Sequence, residues 1–407
     1  MKLQSLSHPI ATAKRARARL SLHAHMWTFA YHGRRRFRGD PRYDLESVTD
    51  GFRVQMDDGA DDTRILERVC EAYIRTVERQ GSECGWYQAS GRWQAIRERN
   101  LGPVMKALHT RDIAPLGKMY RNFFRDPCSA GIIGAPGGLS EAYFSGRISD
   151  VHRHFYLSHV LCRLDYWKLL TGGRYTARDL AVPAVGNPFG IMVDGTHVSV
   201  GAEYSHYCAH RVRERLGSEG VTVAEIGVGF GRNAFYLLRD RPGTRYVGVD
   251  LPETVALASY YLMRALPDLK FLCYGEKALT HESIAEVDVV LLPRFAVIEV
   301  PDRRIDLTFT SHGMSELSTD AMEHHAREVG RITDKKLLLM SNRAVSQTIS
   351  ESVRRQCPSF ALESTCESGW HSYKVSGAGV GGTAAADAAT IVENCFRRKA
   401  LPEDVSA

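Results

Sequence analysis

Residues 221–232 read VTVAEIGVGFGR, and this stretch decides the fold of the second half of the chain. Its apolar start predicts a buried strand, and its glycines at positions 227, 229 and 231 predict a tight turn that leads into a helix. A second predicted strand ends in Asp250, nineteen residues after Gly231. A strand, a glycine turn, a helix and an acid-ended strand together predict an open α/β sheet that holds an adenosine-containing cofactor.

The spacing of the glycines indicates which cofactor this is. A dinucleotide-binding turn has glycine at its first, third and sixth positions, but the sixth position here is Arg232. Glu225 stands two residues before Gly227, and a carboxylate at a strand end disfavours a pyrophosphate but favours a cationic ligand. The pattern therefore predicts S-adenosylmethionine, which carries an ammonium group, a sulfonium and a ribose. A nicotinamide dehydrogenase is the weakest alternative.

The length and charge of the chain set broad limits. A chain of 407 residues with 44% hydrophobic residues predicts two domains with ordinary cores. A net charge of +6 does not by itself favour nucleic acid or membrane as a partner. Residues 1–40 nevertheless hold nine Lys or Arg against a single acid, Asp40. We expect residues 1–60 to form a solvated basic arm, with a site for phosphate, nucleic acid or lipid headgroups as the alternative.

The N-terminal sequence and the cysteine pattern indicate the cellular compartment of the protein. The N-terminus lacks a long apolar segment with a cleavage site, and no stretch of about eighteen apolar residues occurs. Nine scattered cysteines without a CxxC pair favour reduced thiols. These features predict a cytoplasmic protein without a membrane span, and they leave the number of copies in a homo-oligomer open.

Four regions follow along the chain. After the basic arm, apolar residues at helical spacing predict a mainly helical N-terminal or cap domain over 61–184. A connecting segment, 185–218, contains the turn GNPFG at 186–190. Alternating strand and helix patterns over 219–400 predict a doubly wound, Rossmann-like α/β sheet, because continuous apolar runs such as 287–292 are typical of strands buried on both faces. Two late strand patterns, 360–365 and 391–397, predict an antiparallel pair at the sheet edge.

Several segments taken together resemble a known family. The glycine run is followed by VDLPET at 249–254, YYL at 260–262, LLP at 291–293, SHGMSEL at 311–317 and SNR at 341–343. With NPFG at 187–190, this combination resembles the sugar O-methyltransferase family of class I S-adenosylmethionine-dependent methyltransferases over about residues 185–345. The resemblance implies a class I methyltransferase sheet and an O-methyltransferase that acts on a hydroxyl of a sugar or glycoside.

The predicted cofactor residues follow from the positions of strand ends. Glycine lets the backbone turn sharply and approach a ligand closely, so Gly227, Gly229 and Gly231 are expected to surround the methionine part, with Glu225 beside them. Asp250 is expected to bind both ribose hydroxyls, and Leu251 to cover one face of the adenine. Pro293 and Arg294, after the next strand, are expected on the other side of the adenine.

Methyl transfer to a hydroxyl needs a group that accepts the hydroxyl proton. His312 follows the predicted strand 305–310, at the carboxyl edge where open α/β sheets place their sites, and histidine titrates near neutrality. Glu316, four residues later, shares a face with it in a helical turn and can orient the imidazole or bind a substrate hydroxyl. We expect His312 and Glu316 to be catalytic. The alternative is that the pair only starts the next helix.

Further polar residues are candidates for the acceptor site. Asn342 and Arg343 follow the predicted strand 336–340 and are expected to bind sugar hydroxyls or an anionic group. Tyr204 and His206, with His210, are expected to form a lid just before the cofactor domain. Asp306 and Glu316 are hard oxygen ligands that can hold Mg²⁺ in a metal-assisted variant, for which the sequence alone gives no carboxylate cluster.

Two other functions remain open from the sequence. A nucleic-acid methyltransferase that uses the arginine-rich arm as a phosphate clamp predicts binding that weakens steeply with salt. A non-catalytic protein that only binds S-adenosylmethionine predicts tight cofactor binding without transfer to any acceptor.

Overall fold

The computed structural model describes residues 9–56, 61–83, 85–133, 148–217, 220–315, 317–368, 370 and 390–400. The N-terminal part is mainly helical, as predicted. Its helices are α1 (Pro9–Arg36), α2 (Leu45–Gly51), α3 (Thr63–Gln80), α4 (Gly91–Ile96), α5 (Gly102–Thr110), α6 (Ile113–Tyr120) and α7 (Asp150–Leu170), and a π-helical turn, Arg97–Leu101, joins α4 to α5.

Residues 9–36 form a long helix where the sequence led us to expect a solvated arm. Met26 and Ala30 are buried against Phe155 of α7. Gly33 allows close contact between the helices, because a Cβ there would lie 2.3 Å from Cβ of Ser158. Small and apolar residues at spacings of three and four give α1 a face that packs, which the high arginine content of this segment obscures.

The connecting segment contains a hairpin and a helix. Strands β1 (Gly190–Val193) and β2 (Thr196–Ser199) pair antiparallel, and α8 (Ala202–Arg213) follows. Asn187, in the turn before β1, adopts a φ of 57°, and its side chain accepts from the backbone N–H of Gln55 at 2.8 Å and donates to Asn122 at 2.8 Å. The NPFG turn therefore joins N-terminal segments to the hairpin.

The described strands of the second half form one eight-stranded sheet. They are β3 (Thr222–Ile226), β4 (Arg245–Asp250), β5 (Phe271–Cys273), β6 (Val289–Pro293), β7 (Ile305–Ser311), β8 (Thr333–Asn342), β9 (Phe360–Glu367) and β10 (Ile391–Arg398), in the order β5-β6-β4-β3-β7-β8-β10-β9. Strands β3 to β8 pair parallel, and β10 pairs antiparallel with both β8 and β9. The order reverses at β3, which is the switch point of a doubly wound sheet.

Helices cover both faces of this sheet. They are α9 (Arg232–Asp240), α10 (Pro252–Ala265), α11 (His281–Ala285), α12 (Thr319–Ile332) and α13 (Arg343–Gln356). One apolar cluster is continuous from the N-terminal helices to one face of the sheet, and a second fills the opposite face. The predicted Rossmann-like α/β fold with a C-terminal antiparallel pair and a helical N-terminal part is confirmed.

The glycine run and the Tyr-Tyr pair of α10 also hold the N-terminal helices in place. The Phe230 ring packs at 5.2 Å from that of Phe123, and the phenol of Tyr260 donates to Asp62 at 2.9 Å. Arg232 is 5% exposed, donates to the carbonyl of Val200 and lies over the Phe230 ring at 4.6 Å. The arginine at the sixth position of the glycine run is therefore a packing residue.

Some segments differ from the sequence-based expectation or lie beyond the described part. The short strand β5 and helix α13 were not predicted, and β8 begins at Thr333 instead of Lys336. The glycine-rich segments 134–138 and 377–389 lie outside the described residues. None of the described helices is long and apolar enough to cross a membrane.

Candidate active site

The carboxyl ends of five parallel strands meet at one edge of the sheet. The register pairs Ile226 with Val249, Asp250 with Pro293, and Ser311 with Met340. The residues that follow β3, β4, β6, β7 and β8 therefore lie along this edge, where doubly wound sheets bind ligands. These residues are Gly227, Leu251, Arg294, His312 and Arg343.

The glycine turn and the turn after β7 touch through their backbones. Gly227 has a φ of 90°, and a Cβ there would lie 2.5 Å from Cα of Gly313. A Cβ on Gly313 would lie 2.0 Å from the carbonyl oxygen of Ile226. Side chains are excluded from this contact on both sides, so His312 is fixed directly beside the glycine turn.

His312 is held in an uncommon conformation. Its φ of 67° lies in the left-handed region, which is rare for a residue other than glycine and is concentrated at functional sites. Its N–H donates to the carbonyl of Met340 at 2.9 Å, and its carbonyl accepts from Ser315 at 3.0 Å. The backbone on both sides therefore fixes the direction in which the imidazole leaves the turn.

Tyr204, which we expected in a lid, lies next to this histidine. Its phenolic oxygen is 3.4 Å from Nε2 of His312 and 3.0 Å from Oγ of Ser311. The Trp370 ring contacts that of Tyr204 edge-on at 5.4 Å. Tyr204, Ser311 and His312 thus form one polar group, whereas Glu316, the predicted partner of His312, lies outside the described residues.

His206, also predicted in the lid, points into the core instead. Its side chain is 0% exposed, Trp167 donates to its Nδ1 at 3.2 Å, and burial lowers its pKa to about 3. Residues two apart on a helix point about 200° apart, so Tyr204 and His206 cannot both face the site. The predicted substrate-binding role of His206 is therefore wrong, and His210, buried beside Tyr175, is likewise a packing residue.

Glu225 stabilises the turn from within. It is 0% exposed; Asn233 of α9 donates to one carboxylate oxygen at 2.7 Å, and the Tyr246 phenol donates to the other at 2.5 Å. Burial raises its pKa to about 8, against the lowering effect of these two hydrogen bonds. The carboxyl is satisfied by the protein and connects β3, β4 and α9. The expectation of direct contact with a cationic ligand therefore does not match this geometry.

Asp250 closes the other end of the glycine turn. One of its oxygens accepts from the N–H of Gly229 at 3.0 Å, and the other accepts from the N–H of Leu251 at 2.7 Å. Burial raises its pKa, while the nearby charge of Arg294, 3.7 Å away, and the two N–H donors lower it. Asp250 thus stands at the end of the strand next to β3, as predicted for a ribose-binding acid.

The remaining predicted cofactor residues line the same end. Leu251 is 2% exposed and Arg294 is 7% exposed, with its guanidinium turned to Asp250. Pro293 is buried at the end of β6. At Gly229 no atom of the described residues lies within 4 Å of the position that a Cβ would take, so the turn borders open space there. The structure brings these residues together with Asp250 and Gly229.

Asn342 and Arg343 have different surroundings. Oδ1 of Asn342 is buried and has no hydrogen-bond partner among the described residues, so it is available to a ligand. Arg343 is exposed and forms an ion pair with Glu367 of β9. The predicted acceptor role of Asn342 is compatible with its position. The Arg343 guanidinium is instead occupied by its ion pair with Glu367 at the surface.

Of the two acids proposed for Mg²⁺, Glu316 lies outside the described residues, and Asp306 lies away from the carboxyl edge. Asp306 is the second residue of β7; it accepts from the N–H of Thr222 at 2.8 Å and pairs with Lys335 at 2.6 Å. Five residues of extended strand, roughly 16 Å, separate it from Ser311 at the carboxyl edge. Asp306 is therefore excluded from a metal site beside His312, and the described residues contain no cluster of three or more metal-ligating side chains.

Trp370, Glu203 and Glu253 are buried near the edge and were given no site role from the sequence. Trp370 is 2% exposed and lies under Arg163, whose guanidinium is 5.0 Å from the ring centre and pairs with Glu203. Glu253, in the first turn of α10, is 5% exposed and faces Arg97. These partners are far apart in the chain, and a single sequence carries no signal for such pairs.

Comparisons with known proteins give low similarities. No protein-family model matches the chain. A tRNA (guanine-N(7)-)-methyltransferase from Actinobacillus pleuropneumoniae is 23% identical over 97 residues, which is 23% of this chain and 38% of that relative. The chain thus spans well under half of the length of this curated relative.

Among solved structures, a TehB-like SAM-dependent methyltransferase from Corynebacterium glutamicum has 19% identity, a TM-score of 0.32, and covers 47% of this chain and 88% of its own. A second neighbour is geranyl diphosphate C-methyltransferase from Streptomyces coelicolor, solved with Mg²⁺, geranyl diphosphate and S-adenosyl-L-homocysteine. It has 12% identity and a TM-score of 0.34, and the match covers 49% of this chain and 81% of that chain. At this identity and coverage, neither neighbour identifies the acceptor of this chain.

Proposed function

We propose that the chain is an S-adenosylmethionine-dependent methyltransferase that transfers a methyl group to a hydroxyl of a sugar or glycoside. The observation that carries the proposal is the backbone contact between Gly227 and Gly313, which places His312 beside the glycine turn. A proton acceptor held against the turn expected to bind the methyl donor is the arrangement that methyl transfer to a hydroxyl requires.

The residues at the sheet edge fit the cofactor in their chemistry. The open space at Gly229 leaves room for a ligand against the backbone. Asp250, now bonded to the N–H groups of Gly229 and Leu251, would hold the ribose hydroxyls, and Leu251, Pro293 and Arg294 would surround the adenine. When bound, the cofactor supplies an electrophilic methyl group on its sulfonium.

The protein's own residues would prepare the acceptor. His312 accepts the proton of the acceptor hydroxyl, so that the oxygen becomes a better nucleophile. The left-handed backbone of His312 and its bond to Met340 fix the direction of the ring, and Tyr204 contacts its Nε2. Asn342, whose Oδ1 has no described partner, accepts a hydrogen bond from a second acceptor hydroxyl. Glu316 remains a predicted partner of His312.

A sugar hydroxyl as acceptor is supported by the resemblance at 185–345 and by the polar character of the Tyr204, Ser311, His312 and Asn342 groups. A polyhydroxylated acceptor needs several donors and acceptors around one proton acceptor. This group of hydroxyl, imidazole and amide provides them.

A nucleic-acid acceptor is a second candidate because of the surface of α1. Leu20, Trp27 and Tyr31 are 71%, 63% and 56% exposed and share one side of the helix. Arg35 lies over the Tyr31 ring at 5.7 Å, and Arg34 is exposed beside it. Exposed aromatic rings among arginines suit stacking on bases and pairing with phosphates.

The test is a screen for methyl transfer from methyl-labelled S-adenosylmethionine to sugars, glycosides and RNA, each with Mg²⁺ and with a chelator. Label in a sugar or glycoside, insensitive to salt, supports the proposal. Label in RNA that falls steeply with salt supports the second candidate instead. Tight binding of S-adenosylhomocysteine without transfer to any acceptor would contradict an enzymatic role.

A further inference from the structure

A cleft lined by both polar and apolar groups lies beside the N-terminal helices α4 and α5. It has a volume of about 460 Å³, and its lining includes Gln88, Gln94, Arg97, Glu98 and Met105. The π-helical turn at Arg97–Leu101 forms part of one wall. Such turns occur frequently at functional sites, where one extra residue re-aims the side chains of a helix.

Two contacts connect the cleft to the sheet edge. Nε of Arg97 is 3.4 Å from Oε1 of Glu253, three residues after Asp250. Tyr87, next to Gln88, packs at 6.5 Å from the ring of Phe295, which follows Arg294. The cleft therefore borders the ends of β4 and β6, on the opposite side of β3 from His312.

Glu253 has unused hydrogen-bonding capacity in this position. It is 5% exposed, and neither carboxylate oxygen has a hydrogen-bond partner among the described residues. Burial and the charge of Asp250 raise its pKa, while the charge of Arg97, the backbone N–H of Glu253 itself and the charge of Arg294 oppose this. A buried carboxylate without hydrogen bonds is costly, so a ligand that donates hydrogen bonds would be strongly favoured here.

Asp62, a buried carboxylate with a purely structural role, differs from Glu253 in its hydrogen bonds. Asp62 is 2% exposed, but Arg121 donates to one of its oxygens at 2.6 Å and Tyr260 to the other at 2.9 Å. The Arg97 guanidinium approaches Glu253 without forming such a hydrogen bond. The Arg97–Glu253 pair is therefore close enough to keep the carboxylate oriented and leaves its oxygens open to a ligand.

We infer that Glu253 is a second carboxylate for the adenosine part of the cofactor, with Arg97 as its positioning residue and the cleft as its outer wall. The inference rests on the proposed function. Glu253 would accept hydrogen bonds from the ribose hydroxyls or the adenine amino group beside Asp250. The N-terminal helices then complete the cofactor site.

The test is calorimetric titration of S-adenosylhomocysteine and of adenosine into the full chain and into Glu253→Gln, Arg97→Met and Arg99→Met. Arg99 is exposed in the same π-helical turn and serves as the control. We expect Kd for both ligands to rise by about tenfold in Glu253→Gln and Arg97→Met, because each variant weakens a charge-assisted hydrogen bond. Arg99→Met should bind like wild type.

The outcomes separate this inference from the function on which it rests. Unchanged Kd values in both variants, with tight binding by wild type, would overturn the role of Glu253 and leave the proposed function standing. A loss confined to S-adenosylhomocysteine, with adenosine unaffected, would also overturn it. A wild-type chain that binds neither ligand would contradict the proposed function itself. Circular dichroism of each variant identifies any loss of fold, and Arg97→Met tests the pair with Glu253 intact.

Discussion

The phenolic oxygen of Tyr204 lies 3.4 Å from Nε2 of His312 and 3.0 Å from Oγ of Ser311. Tyr204 belongs to α8, which precedes the sheet in the chain, and His312 follows β7. The contact joins the connecting segment to the proposed reaction centre. It leaves the phenol in a position to select the orientation and tautomer of the imidazole.

Tyr204→Phe should therefore lower kcat by about tenfold, because the phenol no longer holds the imidazole, while Kd for S-adenosylhomocysteine stays constant. The measurement is kcat across a pH series together with calorimetric titration. Tyr274→Phe is the matched control, since that phenol bonds to Glu299 at 3.2 Å on another part of the surface. An unaltered kcat and pH profile in Tyr204→Phe would remove Tyr204 from the mechanism.

Gly313→Ala should disrupt the contact between the two turns. A Cβ there would lie 2.0 Å from a backbone oxygen of Ile226, so the His312 turn must shift away from the glycine turn. We expect a loss of about 3 kcal/mol in the free energy of unfolding, or a drop in kcat of about a hundredfold if the shift is absorbed locally.

Gly229→Ala provides the comparison for this variant, because the added Cβ meets nothing within 4 Å and only the positive φ of 56° is strained. Its fold should lose about 1 kcal/mol. Equal losses of unfolding free energy in the two variants, measured by urea unfolding, would show that the contact between the turns is unimportant for stability.

Glu225 predicts a pH dependence of stability. Its pKa is about 8 in the folded protein and about 4.5 in an ordinary environment, so between these values the folded state holds a proton that the unfolded state releases. The unfolding free energy therefore falls as pH rises from about 4.5 to 8, by on the order of 4 kcal/mol from this group. Glu225→Gln lacks this slope. Urea unfolding at pH 5.5 and 8.5 should show wild type losing stability relative to the variant, and parallel losses would contradict the raised pKa.

The Glu203–Arg163 pair is expected to stabilise the packing of Trp370 on α7 and α8. Glu203 is 2% exposed, so Arg163→Met leaves a buried carboxylate without its cation and should cost about 3 kcal/mol. Adding Glu203→Gln should recover about half of this loss. A double-mutant cycle by thermal or urea unfolding measures the coupling, and strictly additive effects would indicate that the two side chains do not interact.

The alternation of strands and helices was readable from the sequence because the central strands are continuous apolar runs. The strand predicted at 221–226 is observed at Thr222–Ile226, and the one predicted at 305–310 at Ile305–Ser311. Strand β5 has only three residues, too few for a periodic signal. Helix α1 was not predicted, because its many arginines indicated a solvated arm and its packing face depends on small residues such as Gly33.

The site was predicted in part. Strand ends placed Asp250 and His312 on one edge because parallel strands end together. The side of a helix that faces the site cannot be assigned without its neighbours, and His206, predicted in the lid, therefore turned out to lie in the core. Asp306 was misassigned because it lies at the start of its strand, away from the carboxyl edge. The Arg97–Glu253 pair joins residues 97 and 253, a distance in sequence that no local pattern spans.

In the proposed function, the His312 turn, fixed against the glycine turn, is the reaction centre of a methyltransferase. The most direct test is single-turnover transfer of labelled methyl from S-adenosylmethionine to an acceptor from the screen, in wild type, His312→Gln and the exposed control His281→Gln. The predicted result is a rate lower by about a hundredfold or more in His312→Gln alone, with Kd for S-adenosylhomocysteine unchanged. Equal rates in all three proteins would contradict the claim.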